Sequence, residues 1–252
     1  MTETLVTEPA MGAVDLFPPD WRALLDLTRP GRLDADPEEG SDGPDCASTL
    51  EAAGLLSEGQ LLAPVARAMA AVRNPSCRFS VATRGLEAQG WLDAGLAALL
   101  LPVEAGLLEL TWVPAAFLPD VLARLVELGP RPIPDGPPLR LTPGSLAHLL
   151  AAPDDYAPLP GADPSGSRGQ ESRARRLLAS VTRHWRIEAR TIADAGPGQP
   201  RSLEALDTPD GSWRLFADAG CVELRPTSPT RLWRLLTVLS SASEERWGLS
   251  ER

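Results

Sequence analysis

The sequence predicts an α+β fold: a pseudo-twofold duplication in which antiparallel sheet meanders are flanked by helices. Three observations lead there. The segment Val14-Asp-Leu-Phe-Pro-Pro-Asp-Trp-Arg-Ala-Leu-Leu25 resembles Leu139-Arg-Leu-Thr-Pro-Gly-Ser-Leu-Ala-His-Leu-Leu150, each a short alternating strand running into a helix start. Further on, Gly106-Leu-Leu-Glu-Leu110 followed by Leu118 and Leu122 to Leu125 matches Gly220-Cys-Val-Glu-Leu224 followed by Leu232 and Leu236 to Leu239, without a gap. Between these paired ends, each half carries the same series of helix, strand meander and closing helix.

In the first half, Pro18 opens a helical pattern where its missing N–H costs nothing, and Asp20 is placed to cap free amides. Thr49 to Val72 reads as helical, with Leu61, Leu62, Val65, Met69 and Val72 on one face, and Asn74-Pro75 stops it. Cys77, Phe79 and Val81 then alternate with Arg78, Ser80 and Ala82 as a half-buried strand, and Gly90 to Gly95 leads into the apolar run Leu96 to Leu101. In the second half, Pro143 opens a helix with Ser145 as its capping residue. Ala174, Leu177, Leu178 and Val181 mark the next helix, and Trp185, Ile187 and Ala189 alternate with Arg186, Glu188 and Arg190. Pro209-Asp-Gly211 is a tight-turn signal before the strand Ser212 to Phe216. The expected organisation is a first α+β half over residues 1–129, a Pro-rich seam at 130–138, and a second half over 139–252. Thr28 to Pro44 and Ala152 to Gly169, acidic or rich in Gly, Pro and Ser, read as mobile loops.

Composition closes several functions. With 252 residues and 43% apolar content the chain has enough material for a real core. Its net charge of −10 and pI near 4.8 disfavour nucleic acid and anionic membranes as partners, because phosphate binding rests on cationic neutralisation. No apolar run approaches the roughly 20 residues that span a bilayer, and the first residues lack a signal-peptide pattern, so a cytoplasmic location is expected. Cys46, Cys77 and Cys221, odd in number and widely spaced, fit a reducing compartment. All 24 basic residues are Arg, which closes every mechanism that needs a lysine, from the phosphate-binding loop to the Schiff base; a GC-rich genome accounts for the bias.

The polar residues offer no catalytic constellation, and no cofactor or metal is expected. His148 and His184 stand apart among Leu and Arg and read as structural. Cys77 and Cys221 lie on apolar strands as core thiols. The Ser-rich stretch Asp163 to Gly169 lacks the spacing that exposes a nucleophile, and the acidic run Asp34 to Asp45 has no scaffold to fix two carboxylates. Arg168, Arg173, Arg175, Arg176, Arg183, Arg186 and Arg190 concentrate positive charge. They read either as a patch for an acidic partner segment or, for Arg173, Arg176 and Arg183, as the solvated face of a helix. Of the seven Trp, Trp21, Trp91, Trp112, Trp185 and Trp213 read as core, whereas Trp233 falls off the Leu232, Leu235, Leu236, Leu239 stripe of its helix and becomes a candidate contact residue.

Taken together, Val14-Asp-Leu before a Trp-bearing helix, Leu50-Glu-Ala-Ala-Gly-Leu-Leu-Ser-Glu-Gly-Gln-Leu62 running into a helix that ends at Asn74-Pro75, and the close Gly220-Cys-Val-Glu-Leu-Arg-Pro226 with its leucine helix resemble the EspG-type chaperones of actinobacterial ESX (type VII) secretion, over about residues 14 to 241. The resemblance implies a cytosolic, non-enzymatic chaperone that binds a secretion substrate such as a PE–PPE-like protein and keeps it soluble. It implies a contact surface on a loop of the first meander, Arg84 to Gly90 with Arg84, Leu86, Glu87 and Gln89, and on the closing helix with Trp233. A monomer or weak dimer is expected. Two other readings stay open: a winged-helix-like regulator, weakened by the few basic or amide residues on Ser57 to Val72, and a small-molecule enzyme without a recognisable motif.

Overall fold

The computed structural model of the chain describes residues 11–28, 46–93, 95–103, 106–152, 168–193, 196–218 and 220–239. The chain divides into two compact units, neither of them one stretch of sequence. The first takes Met1–Val81, Leu86–Val121 and Ala189–Pro200; the second takes Ala82–Gly85, Leu122–Glu188 and Arg201–Arg252. Of the two segments read as loops, residues 29–45 and 153–167 lie outside the described residues, as do the side chain of Cys46 and the seventh tryptophan, Trp247.

The first half of the chain runs β1 (Gly12–Leu16), α1 (Pro18–Leu27), α2 (Cys46–Ala52), a small hairpin of β2 (Leu56–Ser57) and β3 (Gln60–Leu61), α3 (Ala63–Arg73), β4 (Cys77–Thr83), β5 (Leu86–Leu92), β6 (Leu96–Pro102), β7 (Leu108–Pro114) and, after a 3₁₀ turn, α4 (Leu118–Leu125). The strands of the first unit stand in the order β1-β7-β6-β5-β4. At the start of α1, Pro18 takes the first turn and the Phe17 N–H donates to Asp20 Oδ2 at 2.8 Å, as the capping pattern predicts. At its end the Thr28 hydroxyl donates to the Leu24 carbonyl (2.6 Å) and accepts from Arg73 Nε and Nη2 (3.0 and 2.9 Å), tying the last turns of α1 and α3 together.

The expected single helix from Thr49 to Val72 is two helices with a hairpin between them. Gly54, at φ +69°, supplies the left-handed residue that closes α2: its N–H donates to the Glu51 carbonyl and that of Leu55 to the Leu50 carbonyl, a Schellman stop. The periodicity of the leucines hid this break, and Leu62, assigned to the buried face, is exposed. Against the sheet, Leu16, Leu24, Leu50, Met69 and Leu110 are fully buried, Trp21 meets Trp91 at 5.9 Å between ring centroids, and Ala98 sits in register between Trp91 and Trp112. A small residue between two indoles lets both rings lie on the sheet. Fully burying each such leucine contributes about 1.5–3 kcal/mol.

The second half runs β8 (Leu139–Leu141), α5 (Pro143–Ala151), α6 (Arg168–Ala179), β9 (Arg183–Ala193), the two-residue β10 (Gly196–Pro197), β11 (Arg201–Thr208), β12 (Gly211–Asp218), β13 (Cys221–Thr227) and α7 (Pro229–Leu239). Along the second half of the chain the order is β9-β11-β12-β13-β8, with β9 from Ala189 onward belonging to the first unit, and the strands of each half repeat the plan of the other. The registers repeat as well. Val14 faces Leu110 and Leu16 faces Leu108; at the sequence-equivalent positions Leu139 faces Leu224 and Leu141 faces Val222, all antiparallel. The matched glycines Gly106 and Gly220 adopt φ +83° and +81°. The α+β class with its two antiparallel meanders and flanking helices is therefore as predicted.

Differences from expectation are local. Thr142, rather than Ser145, caps α5: its Oγ1 accepts from the Ser145 N–H at 3.0 Å. Arg183 opens β9 and is not on α6, and Arg173 is half-buried with its guanidinium 5.7 Å from the centre of the Trp213 ring, so neither belongs to a solvated helix face. The core on this side joins Leu146 and Leu149 of α5, Ala174 and Leu178 of α6, and Leu139, Leu206, Trp213 and Leu224 of the sheet. Pro209-Asp210 is the predicted two-residue turn, with Thr208 opposite Gly211. Gly211 takes φ +129°, and the Pro132 carbonyl and Pro134 ring occupy the space a Cβ would need, so the Pro-rich seam lies against this hairpin.

Candidate binding groove

Within the second unit an open groove of about 680 Å³ lies among residues from four stretches of the sequence. One side is apolar, from Leu150 at the end of α5 and Leu178, Ala179 and Val181 at the end of α6. The other is polar: Arg84 on the turn after β4, Arg183, His184 and Arg186 of β9, and Glu204 of β11. Along β9, Trp185 and Ile187 are 1% and 0% exposed while His184 and Arg186 alternate with them; Arg183, His184, Trp185 and Arg186 all line the groove.

The polar residues are ordered by hydrogen bonds and ion pairs. His184 Nε2 and Glu204 Oε1 are 2.6 Å apart, so His184 does not stand alone as the sequence suggested, and Arg186 Nε lies 3.4 Å from Glu188 Oε1. Arg183 is anchored more firmly. Helix α4 ends in a Schellman arrangement with Glu127 at φ +48°, where the Leu128 N–H reaches the Ala123 carbonyl. Arg183 Nη1 donates to the leftover carbonyls of Val126 (3.0 Å) and Glu127 (3.3 Å), and its Nη2 meets the Glu127 carboxylate. Behind it, Asp207 is fully buried. Its Oδ1 accepts from the Ser212 hydroxyl at 2.6 Å, and its Oδ2 lies 3.9 Å from both Arg183 Nη1 and Arg131 Nη2. Burying a carboxylate this deep is costly unless it is partnered, and here two guanidiniums and a hydroxyl stand around it.

Among the residues singled out from the sequence, Arg84 lines this groove. Leu86, Glu87 and Gln89 do not lie on a loop: the turn is only Arg84-Gly85, and the other three are on β5 in the first unit, Leu86 half-buried, Glu87 and Gln89 exposed. The loop that the resemblance implies runs to Gly90, whereas Gly90 sits in mid-strand under the Phe79 ring, where a Cβ would force the ring to shift. Trp233 is 42% exposed on α7, while Leu232, Leu235, Leu236 and Leu239 are buried, as the stripe predicts. Trp91, Trp112, Trp185 and Trp213 are buried core residues and Trp21 is partly buried against the first core. Sequence reasoning missed Glu204, Asp207 and Arg131. For Asp207 a signal existed: it shares the inward parity of Leu203 and Ala205 on β11. Among the described residues no three His, Cys, Asp or Glu gather as metal ligands, and no helix is long and apolar enough to cross a membrane.

No protein-family model and no curated protein matches the sequence. Chains of solved structures do match. One is the type VII secretion system chaperone EspG5 of Mycobacterium tuberculosis, solved in complex with the PE25–PPE41 dimer. It superposes with a TM-score of 0.60 over 90% of this chain and 95% of the other, at 12% sequence identity. The chain has the EspG fold. The superposition covers most of both chains, while the low identity leaves the side chains of the groove to be read on their own. In this EspG fold the apolar wall and the arginine-bearing strand are features of the chain itself.

Proposed function

We propose that the protein is a cytosolic, non-enzymatic chaperone of a type VII (ESX) secretion system that binds a secreted PE–PPE-like substrate and keeps it soluble. The observation that carries this reading is the likeness, across nearly the full length of both chains, to a chaperone solved with such a dimer. The groove supports it: half apolar, half cationic and open, it suits a protein segment better than a reacting small molecule, which needs enclosure and convergent titratable groups. The contact surface includes Arg84 at the groove, Leu86, Glu87 and Gln89 on β5, and Trp233 on α7. An exposed indole beside arginines is the kind of residue that carries binding energy when a partner covers it.

Co-expression with the small secreted proteins encoded beside this chain, followed by size exclusion, tests the reading. A stable stoichiometric complex with one of them is expected, and its absence with every candidate rejects the chaperone function. Trp233→Ala, and separately Arg84→Ala with Glu87→Ala, should weaken that complex while leaving the circular dichroism unchanged. If both variants bind as the parent does, the contact surface lies elsewhere.

A further inference from the structure

Resting on that function, the groove also names the chemistry of what it holds. We propose that it selects an apolar segment flanked by carboxylates, and that Arg84 at its lip reads the charge. Three cations, Arg84, Arg183 and Arg186, line the groove against a single carboxylate, Glu204, in a chain whose net charge is −10. Most of that charge is already engaged: Arg183 by Glu127 and Asp207, Arg186 by Glu188, and Glu204 by His184. Arg84 is exposed and makes no ion pair among the described residues. A carboxylate arriving at Arg84 therefore gains a new pair without breaking one, whereas a lysine arriving there meets only repulsion.

The net acidity of the chain does not forbid an acidic partner. At physiological ionic strength the Debye length is about 8 Å, so charges elsewhere on the surface are screened while a contact at Arg84 is not. Across the groove, Leu150, Leu178 and Val181 present the apolar wall, which requires an aliphatic side chain on the same segment. The volume of about 680 Å³ fits the side chains of one helical turn or a short extended stretch. A stable interface buries about 1,600 Å², so the groove is the selective centre of a larger contact and not the whole of it. Nucleic acid fits poorly: it has no aliphatic group for the wall, and one unengaged arginine is far from the several phosphate contacts that drive such binding.

Fluorescence anisotropy with three short amphipathic peptides tests this on the intact chain. All carry leucines on one face, flanked by Glu in the first, Gln in the second and Lys in the third; a single-stranded oligodeoxynucleotide serves as a fourth probe. The Glu peptide should bind about fivefold tighter than the Gln peptide at low salt, the upper range for one exposed ion pair, with Lys weakest and the difference fading at high salt. Arg84→Glu should invert the order, and Arg84→Lys should preserve it. Equal binding of the Glu and Gln peptides, no binding of any peptide, an order that survives Arg84→Glu, or tighter binding of the oligonucleotide overturns the proposal. Its failure is separable from failure of the chaperone function. A complex with a secreted protein that forms but ignores Arg84→Glu and salt removes only the charge selection, whereas no complex at all removes both.

Discussion

The two units share a strand plan and differ in what they bury. Among the described residues of the first, the buried ones are almost all apolar, and the one buried carboxylate, Asp20, accepts from the Phe17 N–H at the first turn of α1. In the second, Asp207, Arg201, Arg214, Ser212 and Thr227 are all buried. The same topology thus serves two kinds of interior. An apolar core fixes position only loosely, since its contacts are non-directional; a buried charge tolerates few arrangements, because every alternative leaves it unpaired. The second unit holds Arg183 at the edge of the groove by this means. Strand pairing is the same in both copies, and the buried polar network belongs to the copy with the groove.

Removing the buried acid from each unit should expose the difference most strongly. Asp207→Ala leaves Arg131 and Arg183 facing each other and Ser212 without its acceptor, at a cost of about 3 kcal/mol. Asp20→Ala loses one capping bond, about 1 kcal/mol. Urea titrations in which the two variants lose equal stability would remove the distinction. Next come two glycines in tight places. Gly211→Ala meets the Pro132 backbone at φ +129° and should cost about 3 kcal/mol, whereas Gly90→Ala meets only a side chain, the buried Phe79 ring, and should cost about 1–2 kcal/mol as that ring shifts. A reversed order would mean that the seam, not the ring, yields.

The duplication was legible because it is written locally: paired Gly-x-x-Glu-Leu segments and Pro-initiated helices need no knowledge of the fold. The stop at Gly54 was also local, yet the leucine spacing on both sides of it masked it. The groove was not legible, since Arg84, Leu150, Val181 and Glu204 meet only after the strands pair, and none carries a motif. Arg84 was singled out through the family resemblance, not through any chemistry visible in its neighbours. Arg183 was misassigned for a related reason: a strand that begins three residues after a helix continues an arginine series that looks helical.

A smaller effect concerns β13, the strand paired with the edge strand β8. Glu223 is held below the ordinary carboxylate range, first by the hydrogen bond from Arg225 and then by the charges of Arg225 and Arg140, with burial opposing. A lowered pKa stabilises the fold above the ordinary value of 4.5 and ceases to do so as the pH falls through the lowered one. Glu223→Gln should therefore be slightly less stable than the parent at neutral pH and equal to it in acid. The difference should be modest, because Arg225 and Arg140 are largely exposed. Thermal melts across that range that run parallel would contradict the assignment.

The most direct test is a photo-crosslinking residue placed at exposed Ala179 in the groove lining and, as a control, at exposed Arg67 on α3, in the chain co-expressed with a secreted protein that fulfils the proposed partner role. An adduct with that protein is expected from position 179 and none from position 67. An adduct from 67 alone, or from neither while the complex is intact, would contradict contact at the groove.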